Sequence, residues 1–326
     1  MRSFSGTSLP LLGVALITTA SLAVAGCGQV NSLKGRKSYK DANTAYQSQD
    51  YKRAADLYRE TIQADPDAKE TLPSYFFLAN SLDNLYKPSK KGDPANDQLM
   101  QDAVTNYQIA ADKLSASDNP DYKKLGKLSL QYLVAAYGSD KLNDPGKAEP
   151  VLQNMIRNEP GDPANYFMLA RLYEDAGEYD EAERIFLAAK EAKPNDASVY
   201  TSLASFYNRQ GKFTKTIDAL EQRAAKEANN PEAWQMIAVY YQDEARKDPR
   251  LKDNEKKDYV NKGIVAVDKA LSIKPDYADA MTYKGLLLRL AANLEKDPAK
   301  QQALLKEAKD LQDKSEETRK KKATGA

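Results

Sequence analysis

Histidine is absent from this 326-residue chain, and cysteine occurs once, at position 27. Without His, and with a single thiol, the common zinc and copper ligand sets and the Ser-His-Asp and Cys-His nucleophile systems lack their parts. One Cys also excludes an intramolecular disulfide. Neither sign of charge dominates: 48 Lys and Arg stand against 47 Asp and Glu, and Arg2 is the only charge in residues 1–26. A phosphate-neutralising surface needs a basic excess, so no nucleic-acid partner is expected. Phosphate-binding glycine loops are missing too. Gly126-Lys127 and Gly211-Lys212 lack the upstream Gly and the following Ser or Thr, and no G-x-G-x-x-G occurs. The carboxylate pairs Glu181/Glu183 and Asp175/Glu178 fall where solvent exposure is expected, with nothing to shift a pKa toward catalysis. The chain is therefore expected to be no enzyme and to hold no metal or cofactor.

What is present is 41% apolar residues, 29% charged residues, 20 Tyr and a mean hydropathy of −0.70, the composition of an ordered, helix-rich chain. Residues 1–26 read as an export leader: Arg2 supplies the positive start, and Leu9 to Ala25 form an apolar stretch ending in small residues. Val24-Ala25-Gly26-Cys27 at its end resembles the bacterial lipobox. That resemblance implies a diacylglycerol thioether on Cys27, cleavage before it, and multiple acyl chains that anchor the protein firmly. Gly28 rather than Asp follows the Cys, which by the same resemblance implies sorting to the outer membrane, facing the periplasm. Residues 27–36 show no helical periodicity and contain Gly28, Asn31, Ser32 and Gly35, so a flexible tether is expected there.

The body of the chain repeats itself. Asn165 to Tyr173, Val199 to Tyr207 and Ala233 to Tyr241 align, each beginning 34 residues after the last. Gly177-Glu178-Tyr179, Ala182, Phe186 and Ala189 likewise match Gly211-Lys212-Phe213, Thr216, Leu220 and Arg223. Between Pro163 and Asp196 stand Tyr166, Leu169, Ala170, Tyr173, Gly177, Tyr179, Ala182, Phe186, Ala189 and Pro194. This set resembles the tetratricopeptide repeat (TPR). Small Ala170 and Ala182 let two antiparallel helices approach, Tyr173, Tyr179 and Phe186 fill the space between hairpins, and Pro194 stops the second helix. The clearest copies are 163–196, 197–230 and 231–277. Degenerate copies extend the repeat region over 37–318, with the first helix beginning near Lys37. Asp-Pro at 93–94, 144–145, 248–249 and 297–298 separates paired helices, and segments 87–96 and 247–257 read as extended, charge-rich hairpin loops. Leu304, Leu305, Ala308 and Leu311 on one face suit a capping last helix, with Gly285 at the small position facing it. Residues 319–326 read as a disordered basic tail.

The fold class implied is all-α, a right-handed TPR superhelix of six to seven hairpins. The first helices of the hairpins then line a concave groove, the family's usual site for a peptide. Counting from the signature, groove-facing residues are Phe167, Met168 and Arg171; Thr201, Ser202, Ser205 and Asn208; and Gln235, Met236, Val239 and Gln242, with Tyr283, Leu286 and Arg289 beyond. The Lys and Asn clamp by which chaperone-tail-binding members hold a C-terminal carboxylate is missing, since Phe167, Arg171, Ser202, Glu232 and Met236 stand there. The expected function is a non-catalytic, membrane-tethered scaffold that binds a protein or peptide in the bacterial envelope. The alternative is a glycan- or small-solute-binding lipoprotein using its many Tyr; most of these fall on repeat core positions.

Overall fold

The computed structural model describes the backbone of residues 15–324 and the side chains of residues 30–324. Residues 1–14 of the expected leader, and the Cys27 side chain, lie outside the described residues. Among those described there are fourteen α-helices and no strand, in agreement with the all-α expectation. Two compact units divide the chain, Met1–Met155 and Ile156–Ala326.

The first unit holds α1 (Ala15–Gln47), α2 (Tyr51–Ala64), α3 (Ser74–Leu85), α4 (Pro94–Ser115), α5 (Pro120–Ala136) and most of α6 (Pro145–Asn158). Consecutive helices α1 to α5 pack in turn, and α3 also touches α1 and α5. Their shared core is aromatic. Tyr58 and Tyr107 are fully buried; Tyr58 stacks on Phe77 with ring centroids 5.8 Å apart, and Tyr107 on Tyr132 at 5.4 Å. A polar chain crosses this core: Tyr46 donates to Asn80 Oδ1 at 2.6 Å, Asn80 Nδ2 to the Tyr107 hydroxyl at 3.2 Å, and Tyr107 to Asp83 at 3.3 Å. Lys141, in the loop before α6, closes it with an ion pair to Asp83 at 2.5 Å.

The second unit contains four hairpins: α7 (Pro163–Asp175) with α8 (Tyr179–Ala192), α9 (Ala197–Arg209) with α10 (Phe213–Lys226), α11 (Pro231–Lys247) with α12 (Asp253–Ile273), and α13 (Ala278–Leu294) with α14 (Pro298–Thr324). The local causes recur with the 34-residue period. Asp162, Asp196 and Asn230 cap α7, α9 and α11, each accepting from the backbone N–H two residues on, at 3.1, 2.9 and 3.0 Å. Turn residues Gly177 and Gly211 take φ of +79° and +66°, a region that other L-residues enter only at a cost. The small positions Ala170, Ala182 and Ala204 are at most 1% exposed, as close helix approach requires. At the last hairpin a Cβ on Gly285 would stand 3.2 Å from the Ala308 carbonyl oxygen, so α13 and α14 meet backbone to backbone there.

Four segments differ from the sequence reading. Residues 27–36 are helical, as part of α1, which is buried from Gly35 onward along the small-residue stripe Gly35, Ser38, Ala42 and Ala45. The two extended loops are shorter than 87–96 and 247–257. Asp93 starts α4 at Pro94 by accepting from Ala95 and Asn96, and Glu255 starts α12 at Asp253 by accepting from the Lys252 N–H at 2.8 Å. Finally, the basic tail continues α14 as far as Thr324, where Lys321 pairs with Glu317 at 2.7 Å and Arg319 with Asp279 at 2.8 Å.

Candidate functional site

The candidate site is the face of the first helices of the hairpins in the second unit, α7, α9 and α11. Arg171 and Asn208 are exposed, while Phe167, Met168, Thr201, Ser202, Ser205, Met236 and Val239 are half-buried. Several of these side chains already have structural occupations. The Phe167 ring lies 6.0 Å from Phe186 between α7 and α8, Thr201 Oγ1 donates to the Ala197 carbonyl one turn back at 3.0 Å, and Met236 Sδ accepts from Arg223 at 3.4 Å. Gln235 and Gln242 are covered, at 9% and 7% exposure. They sit seven residues apart on one stripe of α11, a helix flanked by both α12 and α13. What the face offers is thus Arg171, Ser202, Ser205 and Asn208, with Met168 and Val239 as apolar neighbours.

One end of this face is pinned by a pair that the repeat signature does not contain. Arg209, the last residue of α9, donates from Nε and Nη2 to both oxygens of Glu174 in the last turn of α7, at 2.7 and 2.8 Å. Glu174 has only 7% of its side chain exposed, and Arg171 approaches it at 3.6 Å. The Arg209 hydrogen bonds hold its carboxyl below the ordinary carboxylate range, outweighing burial. The residues stand 35 apart, one repeat plus one position, so opposite charges at the ends of successive first helices were the available signal.

Beside that pair lies a cleft of ≈ 300 Å³ lined by Asn208, Gly211, Phe213, Glu244, Lys247 and the turn Asp248-Pro249-Arg250. Asp248 accepts from the Arg250 N–H at 2.9 Å and from its guanidinium at 2.8 Å, which folds the turn back on itself and holds the Asp248 carboxyl at about 2. Burial, with Asp248 adding to it, instead raises the Glu244 carboxyl. The cleft therefore presents hydrogen-bonding groups of both signs above the aromatic ring of Phe213. It suits a chain with its own N–H and C=O groups better than a small apolar molecule.

On the opposite side of the hairpins, Glu183 of α8 accepts from Tyr207 at 2.9 Å, Lys212 at 3.1 Å and Lys215 at 2.6 Å. Burial pushes this carboxyl up, but the three donors outweigh it and hold it at about 2. The cluster ties α8 to α9 and α10. A second recurring bond was also absent from the sequence reading. Tyr166, Tyr200 and Trp234 donate to the carbonyls of Pro160, Pro194 and Ala228, each six residues upstream, at 3.0, 2.7 and 3.0 Å.

Residues 141–206 match the family model described as tetratricopeptide repeat. No curated protein matches the chain. Among solved structures, MamA (residues 41 to the end) from Desulfovibrio magneticus RS-1 is 17% identical over 60% of this chain and 94% of its own, with a TM-score of 0.38. A tetratricopeptide repeat protein from Parabacteroides merdae ATCC 43184 is 12% identical over 85% and 99%, with a TM-score of 0.43. YrrB, described as a TPR protein with an unusual peptide-binding site, is 17% identical over 75% and 88%, with a TM-score of 0.33. The family match thus places the tetratricopeptide repeat at residues 141–206, and caps, turn glycines and aromatic hydrogen bonds recur with the same 34-residue period from Asp162 to Trp234.

Proposed function

We propose that this chain is a lipid-anchored scaffold of a bacterial envelope, at the outer membrane and facing the periplasm, whose α7–α9–α11 face binds an extended or helical segment of another protein. The observation that carries the reading is the strip from Arg171 through Ser205 and Asn208 to the Asp248-Pro249-Arg250 turn, polar, accessible and braced by the buried Glu174–Arg209 pair. Hydroxyl, amide and charged groups interrupted by Met168 and Val239 match a peptide backbone with a few apolar side chains. The tether is supported by the leader and by Val24-Ala25-Gly26-Cys27, whose Cys is the chain's single thiol. Protein-protein interaction is the coarse role of the repeat family; the envelope setting and the peptide are the finer proposal.

Two assays test it. Growth with a labelled fatty acid is expected to label the wild-type chain in the membrane fraction and to leave Cys27→Ala unlabelled and soluble. For the face, Ser205→Arg and Asn208→Arg are expected to lose a co-purifying partner that Glu191→Arg, on the exposed side of α8, retains. Equal retention by all three variants would move the binding surface elsewhere.

A further inference from the structure

The start of the mature chain has a geometry that a flexible tether would not have. Helix α1 runs without a break through residues 28–47. It is docked on the fold from Gly35, where a Cβ would stand 3.4 Å from the Ala64 Cβ and 3.6 Å from the Thr61 carbonyl oxygen of α2. At 100° per residue, the buried Gly35, Ser38, Ala42 and Ala45 occupy an arc of about 80°. Val30, Leu33, Lys37 and Lys40 fall in a second arc of similar width, centred about 140° away from the first.

Val30 and Leu33 are 64% and 67% exposed, among the most exposed large apolar side chains of the described residues. Residues 28–40 hold four cations, Lys34, Arg36, Lys37 and Lys40, and no carboxylate. Arg36 is paired with Glu70 at 3.4 Å, whereas Lys34, Lys37 and Lys40 are exposed. Face and order along the axis both matter. Apolar side chains come first, three and six residues after Cys27, and Lys37 and Lys40 follow about 6 and 10 Å beyond Leu33 at 1.5 Å per residue.

We propose that residues 28–40 form a stiff helical foot that seats on the lipid bilayer, with Val30 and Leu33 at the boundary of headgroups and acyl chains and Lys34, Lys37 and Lys40 against headgroup phosphates. This rests on the reading of Cys27 as lipidated, which delivers the foot to the surface. Interfacial helices lie with their apolar face buried by about 5–10 Å, so with the Val30 and Leu33 face turned to the bilayer both reach the acyl boundary, while the long lysines extend to the phosphates. Attraction to anionic lipid acts only within a Debye length, so the lysines work because the acyl chains hold them close. The consequence is positional. The docked part of α1 begins eight residues, about 12 Å of helix, from the anchored Cys27, so the first hairpin stands beside the membrane in a fixed attitude instead of swinging on a coil.

The test uses the lipidated full chain in vesicles of three parts phosphatidylethanolamine to one part phosphatidylglycerol. An environment-sensitive fluorophore is placed in turn at Val30→Cys, Leu33→Cys, Asn31→Cys and Thr44→Cys, with spin-labelled acyl chains as quenchers. Mass spectrometry of each sample reports the acyl groups on Cys27. Quenching at positions 30 and 33, several-fold greater than at 31, which turns toward the docked side, and at 44, farther up the same face, is the expected result. Lys34→Gln/Lys37→Gln/Lys40→Gln is expected to cut that difference at least twofold. Uniformly low quenching on a chain that does carry lipid would overturn the foot and leave the anchor standing, as would equal quenching at 30, 31 and 33, the mark of a coil. Shielding of positions 30 and 33 without vesicles would assign this face to a second copy of the chain and also overturn the proposal. An unacylated Cys27 would overturn both readings.

Discussion

Arg209 forks both carboxylate oxygens of Glu174, and in doing so ties the end of α9 to the end of α7 one repeat earlier. Glu174 is nearly buried, whereas Arg209 keeps 43% of its side chain in solvent, so the two ends of the pair are unequal. Removing the arginine strands a buried carboxylate; removing the carboxylate leaves a cation that water can still reach. Arg209→Ala is therefore expected to destabilise the second unit by about 2 kcal/mol and Glu174→Ala by about 1 kcal/mol, measured by urea unfolding, with a double-mutant coupling of at least about 0.5 kcal/mol. Additive single effects would mean the bond contributes nothing to stability.

Acid should reach the molecule through Glu183. Its folded carboxyl stands at about 2 against an ordinary 4.5, so the stabilisation it gives is present above 4.5 and is lost as pH falls from there toward 2. Glu183→Gln is expected to lower stability at neutral pH by about 1–2 kcal/mol and to flatten the stability profile between pH 4.5 and 2. Thermal melts across that window check it, and a variant profile as steep as the wild type's would assign the acid sensitivity to other carboxyls.

The turn glycines give a prediction free of packing. Nothing stands within 4 Å of a Cβ added at Gly177 or Gly211, and both have positive φ. Gly177→Ala and Gly211→Ala are each expected to cost about 1–2 kcal/mol from backbone strain alone. Similar values at the two sites, read by denaturant midpoints, are the expected signature.

In the first unit, Lys141 neutralises Asp83, whose side chain is 8% exposed, within the Tyr107 and Asn80 network. Lys141→Met is expected to destabilise that unit by about 2–3 kcal/mol by leaving the carboxylate unpaired, with faster amide exchange in α3 and α4 and little change in α11 to α14. Repeat units that couple mainly to their neighbours should confine the effect in this way.

How far the sequence could be read depended on whether a feature recurs. The hairpins, Gly177, Ala170 and Ala182 were legible because the same physical demand returns every 34 residues and leaves the same or a similar residue type behind. Tyr200 to the Pro194 carbonyl recurs too, but it is a side chain meeting a backbone atom, and no residue pair in the sequence records it. The helical state of 28–36 was hidden because Gly28, Asn31, Ser32 and Gly35 read locally as breakers, and the packing of Gly35 against Thr61 and Ala64 of α2 is recorded by no local pattern. The face itself was legible in outline. Of the residues the repeat count assigned to it, Arg171 and Asn208 are exposed and Ser205 is half-buried, while Gln235 and Gln242 are buried, because the count gives a helix face and says nothing of how closely neighbouring helices pack.

The most direct test of the binding face is photo-crosslinking inside the cell from Ser205 and Asn208, with Glu191 on α8 as the control, followed by mass spectrometry of the adducts. The account predicts one discrete protein adduct shared by Ser205 and Asn208 and absent from Glu191. Adducts from Glu191 alone, or none from any position in a chain that is folded and at the membrane, would contradict it.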